Sequence, residues 1–215
     1  MPQPPHLQST EPTRIQPLNQ KKMTDGDFVL YWMQQSQRAE ENHALEYAVE
    51  LANHLDRPLM VVFGLTDGYP EANLRHYRFM LEGLRETANT LAKRGILMAV
   101  QLGSPPEVAL KAGKRAAVIV CDCGYLHFQK AWRLSVARQA ACRVVQVEAD
   151  VVVPVAVTSS KAEYAARTLR PKITRQLNEY LKEFHVVPLK NSSLGLDIKN
   201  LKSNLNLEAL EALQS

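Results

Sequence analysis

The residues with the clearest capacity for binding chemistry follow two long apolar runs. Gln34 and Gln35 come directly after the run at 28–33, and Asp122 comes directly after the run at 116–121. Continuous apolar runs of this length are typical of strands in a parallel sheet that is buried on both faces. Ligands of such sheets bind outside the carboxyl ends of the strands. We therefore expect a binding site near these three side chains, although Asp122 could instead cap the helix that follows it.

Other polar residues give weaker indications. Arg75, near the start of a predicted helix, could offer a cation to the same cleft or could simply be solvated. Cys121 and Cys123 have only His127 nearby, which is one ligand short of a usual zinc site, so we predict no metal centre. The six histidines are scattered and no Ser-His-Asp arrangement can be assembled. The sequence therefore predicts no catalytic residue.

Residues 33–38 contain no glycine. A loop that holds phosphate after the first strand of an α/β fold needs glycines, because the backbone N–H groups must approach the anion closely. This observation argues against a Rossmann dinucleotide site, a Walker site and the related pyrophosphatase loop. A nucleotide-binding α/β enzyme remains as a disfavoured alternative.

Five strand patterns alternate with helical patterns along the chain, which predicts an α/β fold. We expect a five-stranded, doubly wound, Rossmann-like parallel sheet in the order 3-2-1-4-5, with helices on both faces and its first strand at the centre. We also expect a long second helix to begin near Pro70, Ser104 to cap the third, and a capping box at Ser160 to start a late helix that Pro171 interrupts. The predicted strands are 28–33, 58–65, 96–102, 116–121 and 143–147.

Composition suggests a single domain with two flanking segments. Residues 1–25 hold five prolines and are predicted to be a flexible leader, residues 26–186 the α/β domain, and residues 187–215 a linker-like tail with a short amphipathic helix near its end. The 215 residues carry a net charge of +4 and three cysteines. With no signal peptide and no run long enough to span a bilayer, we expect a cytoplasmic protein with reduced thiols that does not engage a membrane.

Four motifs occur in order along the chain: YWMQQSQRAEENHALEYAVELAN, VVFGLTDGYPEANLRHYRFMLEGL, VIVCDCGYL and EYAARTLRPKI. Together they resemble the N-terminal α/β domain of class II cyclobutane pyrimidine dimer photolyases. The resemblance implies an antenna pigment, such as 8-hydroxy-5-deazaflavin, FMN or methenyltetrahydrofolate. It also implies a partner, in cis or in trans, which is a helical domain that binds FAD. In the family, the pigment passes its excitation energy to this FAD, and the FAD then repairs pyrimidine dimers in DNA.

The same resemblance implies a chain that ends in the interdomain linker, is not catalytic by itself and contacts DNA at most indirectly. Asp122 and Arg75 match positions from which related photolyases approach their pigment, whereas Gln35-Ser36 replaces an Arg-Asp pair that is common in the family. An interaction module or split-photolyase subunit, which has lost the pigment and docks through helices at 160–184, remains an alternative. The expected pigment-binding residues are Met33, Gln34, Gln35, Phe63, Gly64, Leu65, Arg75, Phe79, Asp122, Cys123 and Gly124.

Overall fold

The computed structural model describes residues 10–197, and a six-stranded sheet lies at their centre. The spatial order is β1-β6-β5-β2-β3-β4, with β1 antiparallel to its neighbour and all other pairs parallel. The strands are β1 Ile15–Pro17, β2 Phe28–Trp32, β3 Leu59–Leu65, β4 Leu97–Leu102, β5 Ala116–Asp122 and β6 Arg143–Val147. The helices are α1 His43–Leu55, α2 Leu74–Lys93, α3 Pro105–Gly113, α4 His127–Gln139, α5 Val155–Thr158 and α6 Ala166–Tyr180.

The α/β prediction is confirmed, and its five parallel strands lie in the predicted order. The strand count was wrong by one, because β1 comes from residues that we expected to be a flexible leader. Ile15 pairs with Val147 and Pro17 with Val145 at the sheet edge, where proline's missing N–H is tolerated. The buried Arg14 holds this segment against the residues that follow β6, because it donates hydrogen bonds to the backbone carbonyls of residues 148, 151 and 152. Residues 10–25 therefore pack against the sheet.

Successive side chains of the central strand β2 point to opposite faces of the sheet, and each face packs into its own apolar layer. Tyr31 points into a layer formed largely with α1, and Trp32 points into the opposite layer, which includes residues of α3 and α4. Both side chains are at most 1 % exposed, as expected for a strand with a helix layer on each face. A third apolar cluster joins α2 to the ends of β3 and β4. Phe63 and Leu65 of this cluster also line a cavity at the carboxyl end of β3.

Two predicted helix starts were wrong. Helix α2 begins at Leu74 rather than near Pro70, because the Asn73 side chain accepts hydrogen bonds from the amides of residues 75 and 76 and caps it there. No helix begins at Ser160, since Glu163 bonds to Ser159 and Lys172 instead of completing a capping box. Helix α6 starts at Ala166 and continues through Pro171.

Two further helix expectations concern the third helix and the tail. Ser104 is the N-cap residue of α3, as predicted, but its side chain makes no capping hydrogen bond. The amphipathic helix expected near the end of the tail lies outside the described residues.

The described part of the tail also packs onto the domain. The Val187 amide donates to Glu46 Oε2 over 2.8 Å, the Ser193 amide donates to the Gly95 carbonyl, and the Ser193 hydroxyl accepts from the Leu97 amide at the start of β4. Within residues 10–197, no helix combines the length and apolarity needed to cross a membrane.

Candidate functional site

Asp122 fixes the loop that follows the central strand. Its Oδ2 accepts hydrogen bonds from the amides of Gln34 (2.7 Å), Gln35 (2.7 Å) and Ser36 (3.0 Å), and its Oδ1 accepts one from the Tyr31 hydroxyl (2.5 Å). Asp122 is only 3 % exposed. Burial raises the pKa of this carboxyl, while the four hydrogen bonds it accepts oppose that shift. Asp122 thus caps the loop after β2 rather than the helix that follows β5.

Asn42 completes the support of this loop from the other side. Its Nδ2 group lies within 3.0 Å of the Tyr31 hydroxyl and of the carbonyls of Ser36 and Arg38. Its Oδ1 accepts hydrogen bonds from the first amides of α1. One buried amide therefore satisfies both the loop and the helix start, and it ties residues 36–38 to the first turn of α1.

Three glutamines present their amide groups near the loop. Gln34 Oε1 accepts from Trp32 Nε1 (2.9 Å) and from the Gly64 amide (3.2 Å), while its Nε2 donates to the Gly64 carbonyl (2.9 Å). Gln129, on α4, donates to Gln35 Oε1. Gln34 is therefore locked between β2 and β3, whereas the Gln35 Nε2 group has no partner among residues 10–197.

These glutamines border a cavity of about 410 Å³ at the carboxyl ends of β2 and β3. Segment 69–72, the first turns of α2 and one side of α4 form the rest of its wall. Most of its other lining side chains are aromatic or aliphatic, with a few polar groups among them. The lining comprises Gln34, Gln35, Gln37, Phe63, Gly64, Leu65, Thr66, Tyr69, Pro70, Glu71, Ala72, His76, Tyr77, Met80, Gln129 and Trp132.

The aromatic wall is held by edge-to-face contacts. The Phe128 ring lies 5.3 Å from Tyr69 and 5.0 Å from Trp132, measured between ring centroids. The Tyr77 hydroxyl donates to the Thr66 carbonyl over 2.9 Å and so ties α2 to the end of β3. Flat aromatic walls with amide groups at one edge are suited to a planar heteroaromatic ring that carries carbonyl and N–H groups.

The structure places the eleven expected site residues in different surroundings. Five of them line the cavity: Gln34, Gln35, Phe63, Gly64 and Leu65. Met33 and Asp122 are buried and do not line it, although Asp122 binds the backbone amides of Gln34 and Gln35, which do. Arg75 and Phe79 lie on the outer face of α2, and Phe79 is 80 % exposed. Cys123 and Gly124 line a cleft on the other side of α4.

Sequence reasoning missed much of the aromatic wall. Tyr69, Tyr77, Met80, Gln129 and Trp132 all line the cavity, but none is among the residues expected from the sequence. A signal was present for Tyr77, since it belongs to the apolar stripe of α2 that faces the sheet, whereas Arg75 lies off that stripe. For Gln129 and Trp132 no local signal existed, because their position depends on how α4 crosses the sheet.

Two of the expected residues are glycines, and each has a packing role. A Cβ atom at Gly64 would lie 2.7 Å from the Pro105 Cα atom, so this glycine permits α3 to contact β3. A Cβ atom at Gly124 would lie 2.5 Å from Gln129 Oε1.

Within the described residues, no three His, Cys, Asp or Glu side chains cluster as metal ligands would.

Comparison with known proteins identifies the family. A family model for DNA photolyases matches residues 29–190. The deoxyribodipyrimidine photo-lyase of Methanothermobacter thermautotrophicus is 49 % identical over 172 residues, and that of Arabidopsis thaliana is 35 % identical over 208 residues. These alignments cover 80 % and 90 % of this chain. The chain therefore belongs to the DNA photolyase family and is a photolyase-type N-terminal domain.

Solved structures agree on the fold. A class III photolyase from Agrobacterium tumefaciens superposes with a TM-score of 0.62 at 16 % identity, covering 87 % of this chain and 39 % of that protein. An archaeal photolyase from Sulfolobus tokodaii, solved with two FAD molecules, gives a TM-score of 0.60 at 17 % identity and covers 87 % of this chain and 41 % of that protein. The chain spans 39 % and 41 % of the length of the two curated relatives described above.

Proposed function

We propose that this domain binds a light-harvesting antenna pigment in the cavity at the carboxyl ends of β2 and β3. The observation that carries the proposal is the combination of an aromatic wall with glutamine amides in one cavity of about 410 Å³. Small-molecule sites commonly enclose about 300–1,000 Å³ and are mostly apolar with a few orienting polar groups. Deazaflavin, FMN and methenyltetrahydrofolate all carry planar rings with carbonyl and N–H edges.

The glutamines divide into one that is fixed and one that is available. Gln34 uses its amide to join β2 to β3 and forms a rigid part of the wall. Gln35 keeps its Nε2 group free of partners within residues 10–197 and can donate to a ring carbonyl. Because related photolyases commonly carry an arginine here, this chain offers a neutral donor where they offer a cation. We expect this difference to favour the uncharged edge of a pigment.

A titration with a matched pair of variants tests the proposal. Met80 lines the cavity, while its neighbour Phe79 points to solvent. We expect at least one of the three pigments to bind, and its visible absorbance should change saturably with wild-type protein and with Phe79→Trp. Met80→Trp should weaken binding at least tenfold by filling the cavity. Failure of all three pigments to bind, or equal binding to both variants, would reject the site.

The role in repair follows from the family and extends beyond this chain. With a helical domain that carries FAD, in cis or in trans, the bound pigment would absorb light and pass excitation to the flavin, which performs the electron transfer to the DNA lesion. Mixing the pigment-loaded domain with the FAD-containing helical portion of a relative should quench pigment fluorescence. Unchanged fluorescence would indicate that the two parts do not assemble.

An interaction module is the second candidate, and α6 is the observation in its favour. Of the fifteen residues in α6, only Tyr180 is buried, and the helix carries exposed basic side chains at Arg167, Arg170 and Arg175. A helix with so little buried surface is suited to a partner. Sedimentation of the domain with a helical portion, together with the pigment titration, distinguishes this role, since a pure docking module would assemble with the helical portion and bind no pigment.

A nucleotide-binding enzyme is disfavoured on geometric grounds. The three amides of residues 34–36 are the donors that a phosphate would need at this strand end, and Asp122 already occupies them. We expect ATP at millimolar concentration to leave the melting temperature unchanged, whereas a ligand of the folded state would raise it.

A further inference from the structure

A second cleft, of about 430 Å³, lies on the side of α4 that faces away from the pigment cavity. We propose that it binds a small organic anion, with a carboxylate or phosphate group at Arg133 and an apolar body against the aliphatic side chains around it. This site is separate from the pigment cavity and does not depend on the proposed antenna function.

Arg133 is a mostly buried cation that forms no ion pair with the residues the structure describes, 10–197. It is 8 % exposed, and its Nε donates to Gln146 Oε1 over 3.0 Å. Its two terminal nitrogens have no hydrogen-bond or ion-pair partner among residues 10–197, and the residue lines the cleft. Burial of an unpaired charge is costly, so a buried guanidinium with free donors favours an incoming anion.

Two other arginines, the buried Arg14 and the partly buried Arg94, show the contrast. Arg14 has the Glu11 carboxylate 2.7 Å from its Nε and three backbone carbonyls around its terminal nitrogens. Arg94 lies 2.7 Å from the buried Glu46 carboxylate. The same protein therefore pairs these cations internally and leaves the terminal donors of Arg133 available.

The surroundings of Arg133 define the ligand class. Lys130, one helical turn earlier, lines the same cleft and adds an exposed cation at its rim. Glu148 also lines it, but that carboxylate accepts hydrogen bonds from the Tyr125 hydroxyl and the Val155 amide. Leu134 is 47 % exposed and Val155 is 49 % exposed, and both line the cleft. An anion on an apolar body would cover this surface.

The two sites lie on opposite sides of α4. Gln129 and Trp132 face the pigment cavity, while Lys130 and Arg133 line the second cleft. Between the two cavities lies a void of only about 10 Å³, which is too small for a ligand. Anion binding should therefore be measurable without pigment and should persist in Met80→Trp. A negative result in the pigment titration would leave the anion proposal intact, and a negative result in the anion titration would leave the pigment proposal intact.

The test uses colourless probes on the whole chain. Phenyl phosphate and benzoate, titrated by calorimetry at low ionic strength, should each bind saturably with one site per chain, and neutral benzamide should bind at least tenfold more weakly. Arg133→Gln should weaken binding of both anions at least tenfold, and Arg133→Lys by less. Arg138→Gln, an exposed arginine on the same helix outside this cleft, should bind as wild type does.

Two results would overturn the proposal. One is the absence of saturable binding of both anions to wild-type protein. The other is equal loss of binding in Arg133→Gln and Arg138→Gln, which would indicate only nonspecific attraction to a basic surface. The comparison of benzoate with benzamide uses the unmodified protein, and equal affinities would overturn the proposal even where the Arg133 variants fail to fold.

Discussion

Replacing Asp122 with alanine should destabilise the domain more than most single substitutions. The change removes the acceptor of four hydrogen bonds. The amides of Gln34 and Gln35 are only partly buried and can be rehydrated, whereas the Ser36 amide and the Tyr31 hydroxyl are buried. Each buried donor left without an acceptor costs about 1–3 kcal/mol. We therefore expect Asp122→Ala to lower the free energy of unfolding by about 4 kcal/mol.

Urea unfolding monitored by circular dichroism measures this quantity, with Asp67→Ala as the control because Asp67 is exposed. Asp122→Asn should lose about 2 kcal/mol, since its amide retains one acceptor oxygen but brings N–H groups towards the Tyr31 hydroxyl. The control should remain within about 0.5 kcal/mol of wild type. A loss below about 1 kcal/mol for Asp122→Ala would show that these four donors are satisfied without the carboxylate.

Three further predictions concern packing, charge and pH. Gly64→Ala would place a Cβ atom 2.7 Å from a backbone atom of α3 and should lower stability by about 1–3 kcal/mol. Gly83→Ala, in open space within α2, should instead raise stability by about 0.5–1 kcal/mol, and thermal melts compare the two variants. Arg94→Met leaves the Glu46 carboxylate, whose side chain is 1 % exposed, without its cation and should cost about 3–5 kcal/mol in urea unfolding. Burial and the nearby Arg14 lower the pKa of His43 from 6.5 to about 4, so the neutral imidazole stabilises the folded state above pH 6.5 and that contribution is lost as the pH falls towards 4. Unfolding measured at pH 7 and pH 5 should show a smaller decrease for His43→Gln than for wild type, and equal decreases would contradict this reasoning.

The sheet was largely predictable because its central strands are buried on both faces. Strands β2, β3 and β5 are uniformly buried and therefore appear in the sequence as continuous apolar runs. Strand β1 carries no such signal. It has only three residues, one of them a proline, and it pairs with a single neighbouring strand at the sheet edge, so most of it is exposed rather than apolar and buried. Its position depends on contacts such as those of Arg14 with residues 148–152, which are more than 130 positions away in the chain.

The site was predictable only where it follows from strand ends. Gln34 and Gln35 line the cavity because residues after a central parallel strand lie at the binding edge. Asp122 was recognised as important, but its hydrogen bonds to residues 34–36 arise from the pairing of β2 with β5, which no local pattern reveals. Resemblance to the family favoured Arg75, and Phe79 was also expected at the site, whereas the apolar stripe of α2 turns Tyr77 towards the cavity instead.

The most direct test of the pigment site is a nuclear magnetic resonance titration of isotopically labelled protein with the tightest-binding pigment. The largest shifts should fall on the side-chain amides of Gln34, Gln35 and Gln129, the indole of Trp132 and the backbone of residues 63–77. The resonances of Arg133 and α6 should change little. Saturable shifts centred on α6 or on the Arg133 cleft, with the three glutamine amides unmoved, would contradict the account.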